Sequence, residues 1–156
     1  MRRLLTLFIV SVIGLFGQAG LLGTYTVERE ASLSASAEVL TLRLGSGTNV
    51  RAHLDGASVY ASAATEFTVE RDGTFASGSA LTENELNPDF DSAATAVATH
   101  TTSISSTTVI ARHTVAAAGT IVIDLSDIQL NAEEAITIRT ESVTATVIIN
   151  LQWRER

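Results

Sequence analysis

Three histidines, His53, His100 and His113, are the only imidazoles in the chain, and there is no cysteine to join them in binding a transition metal. Zinc needs three or four converging ligands, and no pair of these histidines has the i, i+4 or short-loop spacing that brings two together. They are expected to be polar residues of a sheet. Oxygen ligands concentrate instead in Glu83-Asn84-Glu85-Leu86-Asn87-Pro88-Asp89-Phe90-Asp91-Ser92, the donor type that calcium takes. Asn87, Asp89 and Asp91 have the alternate spacing of calcium-loop ligands. However, Ser92 stands where such a loop turns on glycine, and Ala98 where a bidentate glutamate would close it. The residues favour a solvated acidic loop, and no metal is expected.

Covalent and acid–base chemistry fare no better. Serines abound, but no Gly-x-Ser-x-Gly elbow occurs and nothing ties one serine to a histidine and an aspartate. Gly45-Ser46-Gly47 lacks the lysine and the following helix of a phosphate-cradling loop. The carboxylate pairs Glu28/Glu30 and Glu83/Glu85 fall on a wet strand face or in a loop, where burial would not raise a pKa. Phe16, Tyr25, Phe67 and Trp153 lie on apolar stretches, which leaves few rings for a stacking platform. No catalytic, cofactor-binding or metal residue is assigned, no cofactor is expected, and the chain is read as a non-enzyme.

What must these residues be mounted on? At 156 residues the chain suits one domain with a real core. A composition 46% hydrophobic and 17% charged is that of a folded protein. The net charge of −7 argues against nucleic acid, whose phosphates need clustered cations. All ten basic residues are arginines, at positions 2, 3, 29, 43, 51, 71, 112, 139, 154 and 156. Missing lysine fits a GC-rich genome or a salt-loving host. Missing cysteine removes disulfides and leaves the redox compartment open.

Residues 1–23 form a unit of their own. Arg2 and Arg3 precede Leu4–Leu22, which carries no charge. Three readings fit: a secretory signal with small residues before a cleavage after Ala19, a membrane anchor through residues 4–22, or an apolar arm buried in an assembly. Gly14, Gly17, Gln18 and Gly20 weaken its second half as a lipid-facing helix, and Val10, Val12 and Ile13 would suit a strand.

From Thr24 to Arg156 period-two alternation dominates, which predicts one all-β domain over 24–156. Tyr25 and Val27 oppose Thr26, Glu28 and Glu30. Leu40, Leu42 and Leu44 alternate with Thr41 and Arg43 up to the Gly45-Ser46-Gly47 turn. Ala52 and Leu54 lead to Gly56, a predicted bulge, after which Val59 and Ala61 continue. Phe67 and Val69 run to Asp72-Gly73, and 74–92 reads as a long loop. Strands resume over 97–104 and 109–115, then at Ile121-Ile123-Leu125 and Ile136-Ile138, with a helical turn conceivable at 131–135. The last strand is the strongest, since Val143, Ala145, Val147, Ile149, Leu151 and Trp153 share one face. About eight to ten short strands predict a β-sandwich of jelly-roll type, with the last strand central and Trp153 buried. The match of Tyr25–Glu30 with Phe67–Asp72 is read as chance likeness between two amphipathic strands.

The end of the chain adds a resemblance. Thr114-Val115-Ala116-Ala117-Ala118-Gly119-Thr120-Ile121-Val122-Ile123-Asp124-Leu125 leads through Leu130-Asn131-Ala132-Glu133-Glu134 and Ala135-Ile136-Thr137-Ile138-Arg139. It closes on Val147-Ile148-Ile149-Asn150-Leu151-Gln152-Trp153-Arg154-Glu155. This resembles small β-sandwich virion proteins of tailed bacteriophages, of the capsid-decoration or head-fibre kind, whose last strand ends in an apolar run and Trp-x-Glu. The resemblance implies a structural virion protein, a homo-oligomer with a trimer favoured, whose partners are other virion proteins. It transfers no functional residue. The alternative is a secreted or membrane-anchored surface module that binds glycans or forms filaments.

Overall fold

Alternation becomes strand pairing throughout the computed structural model, which describes residues 23–37, 39–75, 78–86, 93–100, 104–105, 107–141 and 143–156. In chain order the strands are β1 (Gly23–Ser36), β2 (Val39–Leu44), β3 (Ala52–Ala61), β4 (Thr65–Arg71), β5 (Thr74–Phe75), β6 (Ser79–Ala80) and β7 (Asn84–Glu85). They continue as β8 (Ala96–His100), β9 (Ile104–Ser105), β10 (Thr108–Val115), β11 (Gly119–Asp124), β12 (Gln129–Leu130), β13 (Ala135–Thr140) and β14 (Val143–Glu155). No helix occurs among the described residues, so none there could cross a membrane. Residues 4–22, the segment read as arm, anchor or signal, lie outside the described residues.

One sheet, here the first, has the order β11-β3-β14-β1-β7, with β12 continuing the β11 row along β3. The second has the order β10-β4-β13-β2-β8-β6. The long strands pair in a nested way: β1 with β14, β2 with β13, β3 with β11, and β4 with β10, all antiparallel. Such a nested ribbon, wrapped so that alternate strand pairs fall in opposite sheets, is the jelly-roll form of the β-sandwich. Tyr25–Glu30 and Phe67–Asp72 belong largely to β1 and β4, in different sheets, each turning an aromatic ring and a valine into the core.

The core is what the alternation supplies. Tyr25, Val27, Leu54, Val59, Val147, Ile149, Leu151 and Trp153 face inward from the first sheet, and Leu40, Leu42, Leu44, Phe67, Val69, Ile136 and Ile138 from the second. β3 keeps its apolar face because the register slips at the predicted bulge. Gln152 lies opposite Gly56 and Trp153 opposite Leu54, so inward parity passes from Ala52 and Leu54 to Ala57, Val59 and Ala61. Glycine is required there, since a Cβ on Gly56 would meet the Ile123 carbonyl oxygen at 3.0 Å.

Residues 72–107, most of which read as loop, are an insertion between β4 and β10 that works as a cover. Asp72 and Gly73, both with positive φ (56° and 125°), turn the chain out of the sheet. β5 pairs with β9, β6 joins the β8 edge of the second sheet, and β7 joins the β1 edge of the first. Thr107, at the end of the insertion, reaches Glu70 of β4. The outer face of the second sheet corrects the expected wet face. Thr41, Thr68, Glu70 and Thr137 point away from the sandwich core, yet all are buried. Their polar groups pair locally: Thr41 and Thr137 hydroxyls lie 3.0 Å apart, and Glu70 accepts from the hydroxyls of Thr68 (2.8 Å) and Thr107 (2.6 Å) and from Arg139 Nη2 (3.1 Å).

Residues 131–135 form a tight turn, not a turn of helix. Glu134 N–H donates to the Asn131 carbonyl, Glu133 adopts a φ of 70°, and the Glu134 carboxylate accepts Asn131 N–H at 2.8 Å. That last bond, helped by Arg71 at 3.0 Å, holds the Glu134 carboxyl below its ordinary pKa.

The two sheets are clamped at one end by the Trp-x-Glu pair. Glu155 is fully buried, and its carboxylate accepts the backbone N–H groups of Thr95 (2.9 Å) and Ala96 (2.8 Å), at the start of β8, and the Trp153 indole N–H at 3.2 Å. Trp153, also fully buried, stacks on Tyr25 with ring centroids 5.6 Å apart. Trp153→Ala is therefore expected to cost about 3–5 kcal/mol. Glu155→Gln, which turns an amide donor towards N–H donors, is expected to cost about 1.5–3 kcal/mol. Urea denaturation followed by Trp fluorescence measures the second; circular dichroism measures the first. A loss below about 0.5 kcal/mol for Glu155→Gln would show that the clamp does not hold the sheets.

Candidate functional site

The histidines that sequence reading considered do not converge. His53 lies on the outer face of the first sheet, while His100 on β8 and His113 on β10 sit four strands apart in the second, about 19 Å at ordinary strand spacing. No group of three or more histidines or carboxylates is placed to hold a metal ion among the described residues. The calcium-like triplet Asn87, Asp89 and Asp91 lies outside those residues. Glu83 and Glu85, expected to be solvated, instead tie the insertion down. Glu83 accepts the Ala98 N–H at 2.8 Å and Glu85 the Thr24 N–H at 3.1 Å. Glu28 and Glu30 are exposed, as expected, and Gly45-Ser46-Gly47 is a plain turn with Gly47 at a φ of 74°.

The arrangement that does gather chemistry is the outer face of the first sheet. β14 and β3 are its central strands, and their outward residues form rows. Arg156 stands opposite Arg51, Arg154 opposite His53, Gln152 opposite Gly56, and Asn150 opposite Ser58. Arg51 and Arg156 exchange both backbone hydrogen bonds, at 2.9 and 3.0 Å, which sets their Cα atoms about 5.5 Å apart. Three arginines and an imidazole thus occupy a two-by-two block on an otherwise acidic protein. Only Arg154 is neutralised, by Asp55, with Nε at 2.8 Å and Nη2 at 2.6 Å from one carboxylate oxygen. The side chains of Arg51 and Arg156 have no partner among the described residues.

Beside this block runs a shallow groove of about 260 Å³, open to solvent. Asp55, Gly56, Ser58, Asn150 and Gln152 line it, with Val122 of β11 as its apolar wall. The bulge makes the groove, since Gly56 leaves its position in the outer layer without a side chain. Asn150 is oriented by Thr26, whose hydroxyl lies 3.2 Å from its Oδ1. Asp124, opposite Gly56 on the other flank, accepts Ser126 N–H at 3.0 Å, which holds its carboxyl ionised below the ordinary pKa.

Such an arrangement can bind but has no evident nucleophile paired with a base. Comparison with protein-family models, with curated proteins and with solved structures finds no match to this chain. Sequence reading missed the block because Arg51 and His53 are about a hundred residues from Arg154 and Arg156. Only the β3–β14 register brings them together, and the one signal in the sequence was an arginine at alternate positions near the ends of two strands.

The block has a measurable electrostatic consequence. Burial, and then the nearby charges of Arg156, Arg154 and Arg51, lower the pKa of His53 against the opposing pull of Asp55. A group with a lowered folded pKa binds its proton more readily in the unfolded chain. Its contribution to stability is thus present above the ordinary imidazole pKa and is lost as pH falls through that value to the lowered one. An NMR titration of the imidazole Cε1–H is expected to place His53 below an unstructured histidine, and Arg51→Ala with Arg156→Ala to move it up. A His53 that titrates at or above the ordinary value would remove the arginines from its surroundings.

Proposed function

We propose that the chain is a structural jelly-roll subunit, not an enzyme, and that copies of it join into a surface assembly; the virion coat of the resemblance is the setting. One asymmetry carries the reading. The insertion places β7 and β6 along one side of the sandwich, covering the edges of β1 and β8. On the opposite side β10 and β11 end the two sheets, and no described strand pairs with their outer edges. An uncovered edge presents unpaired N–H and C=O groups, and proteins that stay monomeric blunt such edges with lysine, proline or a cover. This side has neither lysine nor proline. It has exposed β-branched residues: Val109 and Ile110 on β10, and Val122, 81% exposed, on β11. β11 is also regular along its whole pairing with β3, as a templating edge must be.

The expected occupant is a second copy of this chain, which offers the same strands about a symmetry axis. Residues 4–22 add to the reading, because each large apolar side chain they bury between copies is worth about 1.5–3 kcal/mol. The other reading, a secreted or membrane-anchored surface module, needs only the same sandwich with residues 4–22 serving as signal or anchor.

Light scattering on the full chain separates the two. Assembly through the open side requires that Ile110→Lys with Val122→Lys lower the oligomeric state while the circular dichroism of the sheet persists. Deleting residues 1–22 is expected to release soluble, folded domains. An oligomer indifferent to both changes would discard assembly through this side and leave the surface-module reading in front.

A further inference from the structure

The outer face of the first sheet has a polarity that assembly through the β10–β11 side does not use. From the geometry we infer that this face binds an acidic oligosaccharide, its carboxylate on the Arg51–Arg156 pair and its hydroxyls in the groove along Ser58, Asn150 and Gln152.

The cationic end comes first. Arg51 and Arg156 are exposed, directly opposed, and without partners among the described residues, and like charges so placed repel. An anion between them removes that repulsion and takes two planar guanidinium donors, the geometry that a carboxylate accepts in bidentate fashion. Arg154 cannot take the role in full, because Asp55 already engages two of its donor nitrogens.

The groove gives the rest of the ligand its character. A hydroxyl, two side-chain amides and the flanking carboxylates Asp124 and Glu28 offer both donors and acceptors, which alternating sugar hydroxyls satisfy. A phosphate polyanion such as a nucleic acid would carry charge along its whole length past Asp55, Asp124 and Glu28, and is disfavoured. A ligand charged at one end and hydroxylated beyond it fits. From the Arg51–Arg156 row to the Gln152–Gly56 row is about 13 Å along the strand, and to the Asn150–Ser58 row about 20 Å, the reach of a short oligosaccharide.

The test uses the full chain and sialyllactose, whose single carboxylate lies on its terminal ring, as probe, with neutral lactose and inorganic sulfate as comparison arms. Sialyllactose is expected to bind, to shift the NMR signals of the Asn150 and Gln152 side-chain amides, and to raise the His53 pKa. Arg51→Ala with Arg156→Ala is expected to weaken it about tenfold or more, the loss of hydrogen bonds to a charged group. Unchanged circular dichroism would confirm that the variant is folded. Equal binding of lactose would overturn the role of the arginines. Equal binding of sulfate would overturn the sugar. So would failure of sialyllactose to bind at millimolar concentration, or full affinity in the double variant. None of these readings depends on oligomeric state, so the proposal stands or falls apart from the assembly.

Discussion

Everything in this sandwich waits on the insertion of the last strand. β14 lies between β1 and β3, so the first sheet has no middle until residues 143–155 arrive. The pairs it forms with β1 join residues more than a hundred positions apart, Tyr25 with Trp153 among them. Such contacts are the slowest to form, because chain closure precedes any reward. Glu155 makes the closure mutual between the sheets. Its carboxylate belongs to the first sheet, and the backbone donors it satisfies open β8 in the second. Without it those buried N–H groups would lose the bonds that repay their desolvation, so strand insertion and sheet packing fail together.

The insertion between β4 and β10 solves a different problem. A jelly roll has four sheet edges, and an edge left open is a template for another strand. Two-residue strands suffice to close two of them, because covering an edge needs a few hydrogen bonds and not a packed face. On the outer face of the second sheet Glu70 gathers Thr68, Thr107 and Arg139, and the Thr41 and Thr137 hydroxyls pair with each other. Among the described residues no strand covers the outer face of the first sheet or pairs with the outer edges of β10 and β11, which is where the proposed binding and assembly have room.

Period-two patterning made the long strands legible, since a half-buried strand must alternate to keep water on one side only. Gly56 and its bulge could be read because parity changed across it, and Trp153 because it ended the longest apolar face. The short strands β5, β6, β7, β9 and β12 could not, for two residues carry no period. Alternation alone puts Thr41, Thr68, Glu70 and Thr137 on the outer side of their strands, and the fold makes them dry. Glu83 and Glu85 looked like loop carboxylates, and nothing local shows that Ala98 and Thr24 would offer them N–H groups. The candidate site was the least legible part, being a product of register between β3 and β14.

Arginine-only usage sharpens the character of that site. A lysine in a cationic block has its pKa lowered, as that of His53 is here by burial and then by the arginines. Arginine stays protonated at any physiological pH, so the block keeps its sign. The repulsion between Arg51 and Arg156 is then present at any physiological pH, while Asp55 and Asp124 stand farther along the same face and Glu28 and Glu30 lie opposite Asn150 and Ile148 on β1. Charges so separated along one face set up a local field running along the strands, opposite in sign at its two ends. A ligand with charge at one end and hydroxyls beyond it aligns with that field in a single direction, and a uniform polyanion or a neutral chain gains nothing from it.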